Sequence, residues 1–366
     1  MGHPAIDNRS PFAFEAVHLA DEDARPLLVT IVRATYDISG RGLQIAEEQA
    51  PVPVAGVLHG DSPETSSYKF EPETAFLKLA TDVVLLGHAY APRVGAVEGS
   101  VGIQVGPLSK TARIFGDRVW VKGAGSPIMT RPQPFEKIPL VYERSFGGWD
   151  LTAGTPERPV FDPRNPVGTG FRSASHGAFQ EGIRLPNIED PADKIDRYGE
   201  LVPVAGFGFI SANWQPRLSL AGTYDEAWMK DRMPLLPRDF DRRFFNAASP
   251  GLVAHGHLRG DEPVSVLGAS PVGQLSFRLP GAPRPTCLVT LVHRKDTLVE
   301  TQLDTVVVDT DEDKVYLTWR GHVPLRDGPH DVRSIAIDTP GLARPAPRGS
   351  RSSTAASAAT TPRAPT

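Results

Sequence analysis

The chain has 366 residues, 40% hydrophobic and 22% charged, with a formal net charge of -4. This is globular composition, and it lacks the basic excess of a dedicated nucleic-acid binder. Its 36 prolines and 34 glycines disfavour long helices and favour short strands joined by turns. The single cysteine, Cys287, excludes an intrachain disulfide and a cysteine-clustered zinc site.

Residues 1–23 show no basic segment followed by an apolar one, so no secretory signal is read there. Ile6 stands where the myristoylation pattern needs Ser or Thr. No apolar run approaches bilayer-spanning length. The expected location is cytoplasmic, with no direct membrane insertion.

Residues 27–38, LLVTIVRATYDI, are rich in β-branched side chains and read as a strand, with 39–42 as a turn and 43–46 as the return. Residues 81–90, TDVVLLGHAY, read as one buried strand. Residues 100–105 and 112–115 follow, and Gly116-Asp117 predicts a hairpin turn into 118–122. Residues 123–250 carry recurrent prolines, glycine pairs, arginines and aromatics, which read as an ordered, loop-rich region on the β framework. One helix is signalled there: Thr223 and Glu226 have capping-box spacing, and Pro234 predicts its end near Met233. Strand patterns return at 252–258, 264–267, 274–279, 286–294, 298–309 and 314–319, with a hairpin at 310–313.

The expected fold class is mostly β: a sandwich- or barrel-like framework of antiparallel strands, with a large Pro/Gly-rich loop region and a few short helices. The expected organisation is one β-rich domain over 1–340 and a disordered Ala/Ser/Thr/Pro/Arg tail over 341–366. An alternative division is two fused β lobes, 1–122 and 251–340, separated by the loop-rich region 123–250.

Candidate chemistry is sparse. His255 and His257 would share a face if they lay on a strand, with Asp261 and Glu262 nearby, but the spacing matches no metal motif. His293 and His322 read as isolated strand histidines, and Cys287 as core filler. Glu143 and Asp150 bracket Arg144, Phe146 and Trp149. Two carboxylates near aromatics suit glycoside hydrolysis, yet a charged network holding a loop explains them more simply. Residues 239–247, DFDRRFFNA, bring together Arg242, Arg243 and Phe244. Arginine and aromatics dominate binding hot spots and also pack loops onto sheets. Trp214, Arg217 and Trp228 carry the same two readings. The partner-binding or loop-organising set is therefore Glu143, Arg144, Phe146, Trp149, Trp214, Arg217, Trp228, Arg242, Arg243 and Phe244. No catalytic residue, cofactor or metal site is expected.

Several runs together carry a family resemblance: 46–49 (AEEQ), 81–92 (TDVVLLGHAYAP), 105–108 (VGPL), 114–120 (IFGDRVW), 139–150 (PLVYERSFGGWD), 165–170 (NPVGTG), 185–190 (LPNIED), 214–217, 221–228 (AGTYDEAW) and 236–247. In this order, over about residues 8 to 330, the chain resembles the domain-of-unknown-function 2169 family of Gram-negative bacteria. The resemblance implies an adaptor or effector chaperone of the type VI secretion system. Such a protein binds a toxic effector in the producing cell and helps load it onto the VgrG spike, in some cases with a PAAR tip protein. The resemblance brings no catalytic residues with it. Two other readings stand beside it: a structural component of a secretion-related assembly, and a carbohydrate-active hydrolase using Glu143 and Asp150.

Overall fold

The computed structural model describes residues 4–40, 42–155, 158–175, 177–281 and 283–342. The expected tail lies, from residue 343 onward, outside the described residues. In chain order the principal strands are β1 (Ala5–Asn8), β2 (Ala13–Ala20), β3 (Pro26–Ser39), β4 (Gly42–Ile45), β5 (Asp82–Leu86), β6 (Glu98–Val105), β7 (Leu108–Phe115), β8 (Ile188–Glu189), β9 (Pro263–Leu267), β10 (Gln274–Arg278), β11 (Thr286–Leu291), β12 (Thr297–Glu300), β13 (Gln302–Asp309), β14 (Lys314–Pro324) and β15 (Val332–Asp338). The protein is mostly β, and its sheets are mainly antiparallel.

Three sheets form the framework. The first has the order β2-β3-β14-β13-β5, with β4 on β3; the second is β8-β7-β6-β9-β10; the third is β1-β15-β11-β12. Segments from both ends of the chain share these sheets: β3 pairs antiparallel with β14, β5 parallel with β13, and β6 antiparallel with β9. Leu28, Val32, Val101, Ile103, Val264, Cys287, Val289 and Ile335 belong to one apolar cluster, so all three sheets contribute to a common core.

β3 shows why the first sheet is sequestered on both faces. Its even positions Leu28, Val32, Ala34 and Tyr36 enter the common core, while Leu27, Val29 and Ile31 pack with Val52 and Phe76. Side chains alternate across a strand, so a strand with apolar residues on both faces needs cover on both sides. Arg33 is buried on this strand. Its guanidinium lies 4.4 Å and 4.5 Å from the rings of Phe70 and Tyr316, and it donates to Pro51 O.

Several expectations are corrected. Residues 81–90 form two strands, because Gly87 (φ 133°) turns the chain and a Cβ there would strike the Thr310 hydroxyl. His88–Tyr90 then pairs with Lys137–Pro139 outside the first sheet. The expected strand 298–309 is likewise broken at buried Thr301, so that β12 and β13 lie in different sheets. Gly116-Asp117 makes no hairpin with β7: Val119–Val121 pairs with Ile128–Met129 and Ile183–Arg184. Residues 252–258 form no strand; only Val253 bridges to Asp82. His293 lies in a turn with φ 61° rather than on a strand. The one α-helix among the described residues, α1 (Glu226–Asp231), is capped by Asp225, whose side chain accepts from Trp228 N–H. Thr223 instead donates its hydroxyl to Asp239 (2.7 Å).

Candidate functional site

The segment 142–150 is built around Asn165, whose side-chain amide donates to Tyr142 O (2.8 Å) and Phe146 O (3.0 Å). Gly147 (φ 145°) and Gly148 (φ 94°) permit this close approach, because a Cβ on either would collide with the carbonyl of Asn165 or of Gly168. Phe146 is buried, edge-on to Phe171. Tyr142 is buried edge-on to Trp214, and burial pushes its hydroxyl up to about 12.

The two acids in this segment hold different loops. Glu143 accepts from Ser67 N–H (2.7 Å) and from the Ser67 hydroxyl (2.8 Å). Asp150 is buried. One of its oxygens accepts from the Thr152 N–H (3.0 Å) and hydroxyl (2.6 Å), the other from the Ser173 N–H (2.9 Å) and hydroxyl (3.0 Å). Burial pushes the Asp150 pKa up, but the hydrogen bonds from Thr152 and Ser173 outweigh it and hold the group below the usual carboxylate range. Arg144 donates to the Asn187 side chain (3.1 Å) and lies 3.6 Å from Asp117.

Beneath the loop-rich region lies a buried ionic layer. Lys78 Nζ donates to Asp82 (3.0 Å) and to the Thr305 hydroxyl (3.0 Å). Arg320 pairs with Asp304 (2.6 Å) and with Glu73, and donates to Ala75 O (2.8 Å). Arg217 pairs with Glu71 and donates to Ile210 O (2.6 Å) and Phe244 O (2.9 Å). Asn246 donates to Ala80 O (2.7 Å) and Asp82 (3.0 Å). Burial lowers the Lys78 pKa, but Asp82, Asp304, Glu73 and Glu71 outweigh that and hold it above the ordinary lysine range. The layer ties the segment 71–82 and the loops 210–217 and 244–247 to the first sheet. Arg217 is the one member that the sequence picked out. The others carry no local signal: the four-residue spacing of Lys78 and Asp82 marks an ion pair only on a helix, and these residues are not on one.

The outer part of the loop region is different. α1 stands on an excursion clamped to the β2–β3 turn: Arg232 donates to Glu22 O (3.0 Å) and Asp23 (2.8 Å), and Arg242 to Glu22 (3.0 Å). Trp228 is half-buried, donating its indole N–H to Leu235 O (2.9 Å) with its ring edge-on to Tyr224. Tyr224, Met229 and Met233 are more than half exposed beside it. A hollow of about 400 Å³ is lined there by Trp228, Asp231, Arg232, Pro237 and Asp239. Arg243 is exposed and paired with Asp241 (2.9 Å), while Phe244 sits 5.1 Å from the Arg217 guanidinium. Trp149, with its ring 4.6 Å from that of Phe161, and Leu151 form a second exposed apolar spot.

The sequence-derived set therefore divides. Phe146, Trp214 and Arg217 are buried; Glu143, Arg144, Trp228 and Phe244 are half-buried; Trp149, Arg242 and Arg243 are exposed. His255 and His257 do not share a strand face: His255 is exposed, and the His257 ring is hydrogen-bonded to Lys78 O (3.1 Å). Among the described residues no group of three or more His, Cys, Asp or Glu is placed to hold a metal. Cys287 is buried, and burial pushes its thiol up to about 11.

No curated protein matches the chain. No solved structure matches it. The family model described as an uncharacterized protein conserved in bacteria (DUF2169) matches residues 23–320. The chain belongs to the DUF2169 family.

Proposed function

We propose that this chain binds another protein, as a type VI secretion adaptor. In the producing cell it holds a toxic effector and helps load it onto the VgrG spike, in some cases with a PAAR protein. The carrying observation is the α1 excursion, where Tyr224, Met229 and Met233 are exposed around a half-buried tryptophan. The excursion is held by Arg232 and Arg242 to the β2–β3 turn. Exposed apolar clusters with charged neighbours mark interaction surfaces, and a rigid scaffold presenting loops limits the entropy lost on binding. Glu143 and Asp150, the carboxylates that a hydrolase would use, each accept hydrogen bonds that hold a loop, which supports the binding reading.

The test is purification of the N-terminally tagged chain from its own host while the secretion apparatus is being made. A stoichiometric effector, alone or with VgrG or PAAR, supports the adaptor. Recovery of the chain alone, or of the chain as a fixed part of the exported particle, overturns it.

A further inference from the structure

The excursion that carries α1 is joined to the rest of the molecule in few places. Its neck is pinched: Asp241 N–H donates to Leu220 O (3.0 Å), and Asp239 accepts from the Thr223 N–H (3.0 Å) and hydroxyl (2.7 Å). Gly222 (φ 85°) closes this neck against Pro237 and Asp239. Phe240 anchors it, with its ring 5.6 Å and 5.5 Å from those of Phe244 and Phe245. Beyond the neck the excursion satisfies itself. The Trp228 indole donates to Leu235 O (2.9 Å), and Arg232 Nε to Leu236 O (2.8 Å). No side chain of α1 is buried, and none from 222 to 240 joins the apolar clusters of the described residues. Among the described residues, the hydrogen bonds that leave 222–240 are those of Arg232 to Glu22 O and Asp23. A unit docked with so little shared apolar burial opens locally at small cost.

The dock is ionic and incompletely satisfied. Arg232 meets Asp23 at 2.8 Å, with side chains 16% and 46% exposed. Asp23 also lies 3.5 Å from Arg25 of its own turn, a partner it keeps if the excursion leaves. Beside the neck, Arg242 directs both Nε and a terminal nitrogen at one oxygen of Glu22, Oε1. The other oxygen, Oε2, is buried and accepts no hydrogen bond among the described residues. A buried acceptor left unpaired is costly, and uncovering the turn hydrates it. Partly exposed ion pairs contribute little and are screened by salt. The orphaned oxygen therefore offsets part of what the clamp contributes, which brings a docked and a released arrangement close in free energy.

We propose that residues 222–240 form a hinged strap, docked by Arg232 and Arg242 on the Glu22–Asp23 turn and released about the Leu220–Asp241 neck when that clamp is screened or neutralised. Its functional meaning rests on the adaptor reading: the strap carries Tyr224, Met229 and Met233, so a partner that prefers one arrangement of them shifts the clamp.

The test follows the strap itself and needs no partner. Spin labels are attached to the full chain at Ala20→Cys and Met229→Cys, both exposed positions, while Cys287 is buried. Pulsed dipolar spectroscopy is expected to show one main distance in about 0.01 M salt, and a second, longer one whose population grows about fivefold in about 1 M salt. Asp23→Asn together with Glu22→Gln is expected to bring out the second distance at low salt. A control pair on the framework, Ala20→Cys with Leu298→Cys, is expected to keep one distance throughout. A single, unchanged distance from Ala20 to Met229 under every condition overturns the inference and leaves the adaptor reading standing. A second population indifferent to salt and to both substitutions overturns it too, because the clamp would then not control the strap. Equal broadening in the control pair does the same, by showing that the framework loosens as a whole.

Discussion

Lys78 and Asp82 are four residues apart and joined Nζ to Oδ2 at 3.0 Å, yet neither is on a helix. Asp82 opens β5, and the chain between them bends so that both side chains enter the layer shared with Arg320 and Asp304. Their side chains are 4% and 0% exposed. The desolvation cost of such a pair is met only while both charges and their hydrogen-bond partners remain in place. Lys78→Met is therefore expected to destabilise the protein by about 3–5 kcal/mol, by leaving Asp82 charged and incompletely paired. The double substitution with Asp82→Asn is expected to cost less than the sum of the two single changes. Denaturant unfolding of the four proteins measures both quantities, and simple additivity would show that the pair is not coupled.

Lys110 supplies a pH dependence of unusual sign. Its Nζ donates to the Ser249 hydroxyl (2.5 Å) and Pro250 O (2.8 Å), and burial pushes its pKa down to about 8, with Asp190 opposing. Between about pH 8 and the ordinary lysine value the unfolded chain holds more protons at this position than the folded one, so stability contributed here rises with pH. The difference in unfolding free energy between wild type and Lys110→Met is expected to move in favour of wild type from pH 8 to pH 10. Taking the difference removes the opposing contribution of Cys287, whose raised pKa acts in both proteins. A flat difference across that window would contradict the assignment.

Asp150 acts at the acid end. Its folded pKa lies below the ordinary value, so its contribution is complete above the unfolded pKa and is lost as pH falls through the folded one. Asp150→Asn is expected to flatten the acid limb of the stability profile. It should also raise proteolysis in the segments held through Thr152 and Ser173. An unchanged acid limb would show that these bonds do not distinguish the ionised form.

Gly147→Ala and Gly148→Ala are expected to cost about 1–3 kcal/mol each, from positive φ together with a blocked Cβ position. Gly40→Ala has open space around its Cβ, and is expected to fall within about 0.5 kcal/mol of wild type. Thermal unfolding of the three variants tests the contrast. Equal effects would mean that the approach to Asn165 and Gly168 relaxes easily.

Met229→Lys with Met233→Lys tests the proposed surface. Both side chains are about 60% exposed, so the double variant is expected to unfold within about 0.5 kcal/mol of wild type per site. Recovery of a companion in the tagged purification should fall sharply. Full recovery would place the partner elsewhere on the molecule.

Local pattern determined what depends on neighbours in sequence. The β-rich class, β3 and its return strand, the hairpin between β13 and β14, and the irregular region after residue 123 follow from β-branched runs and from turn residues. Tertiary structure decided the rest. The apolar run at 81–90 carries a glycine at 87, but what bars a side chain there is the Thr310 hydroxyl, more than two hundred residues away. The cap of α1 is Asp225, while the Thr223 hydroxyl donates to Asp239, a partner that the capping-box spacing does not show. Arg217 was visible as an arginine among aromatics, but its burial against Glu71 was not. The paired charges at Glu73, Lys78, Asp82, Asp304 and Arg320 lie in two stretches of chain more than two hundred residues apart. A buried charge is tolerated only opposite its partner, and for Glu73 that partner, Arg320, is brought to it by the fold from the far end of the chain.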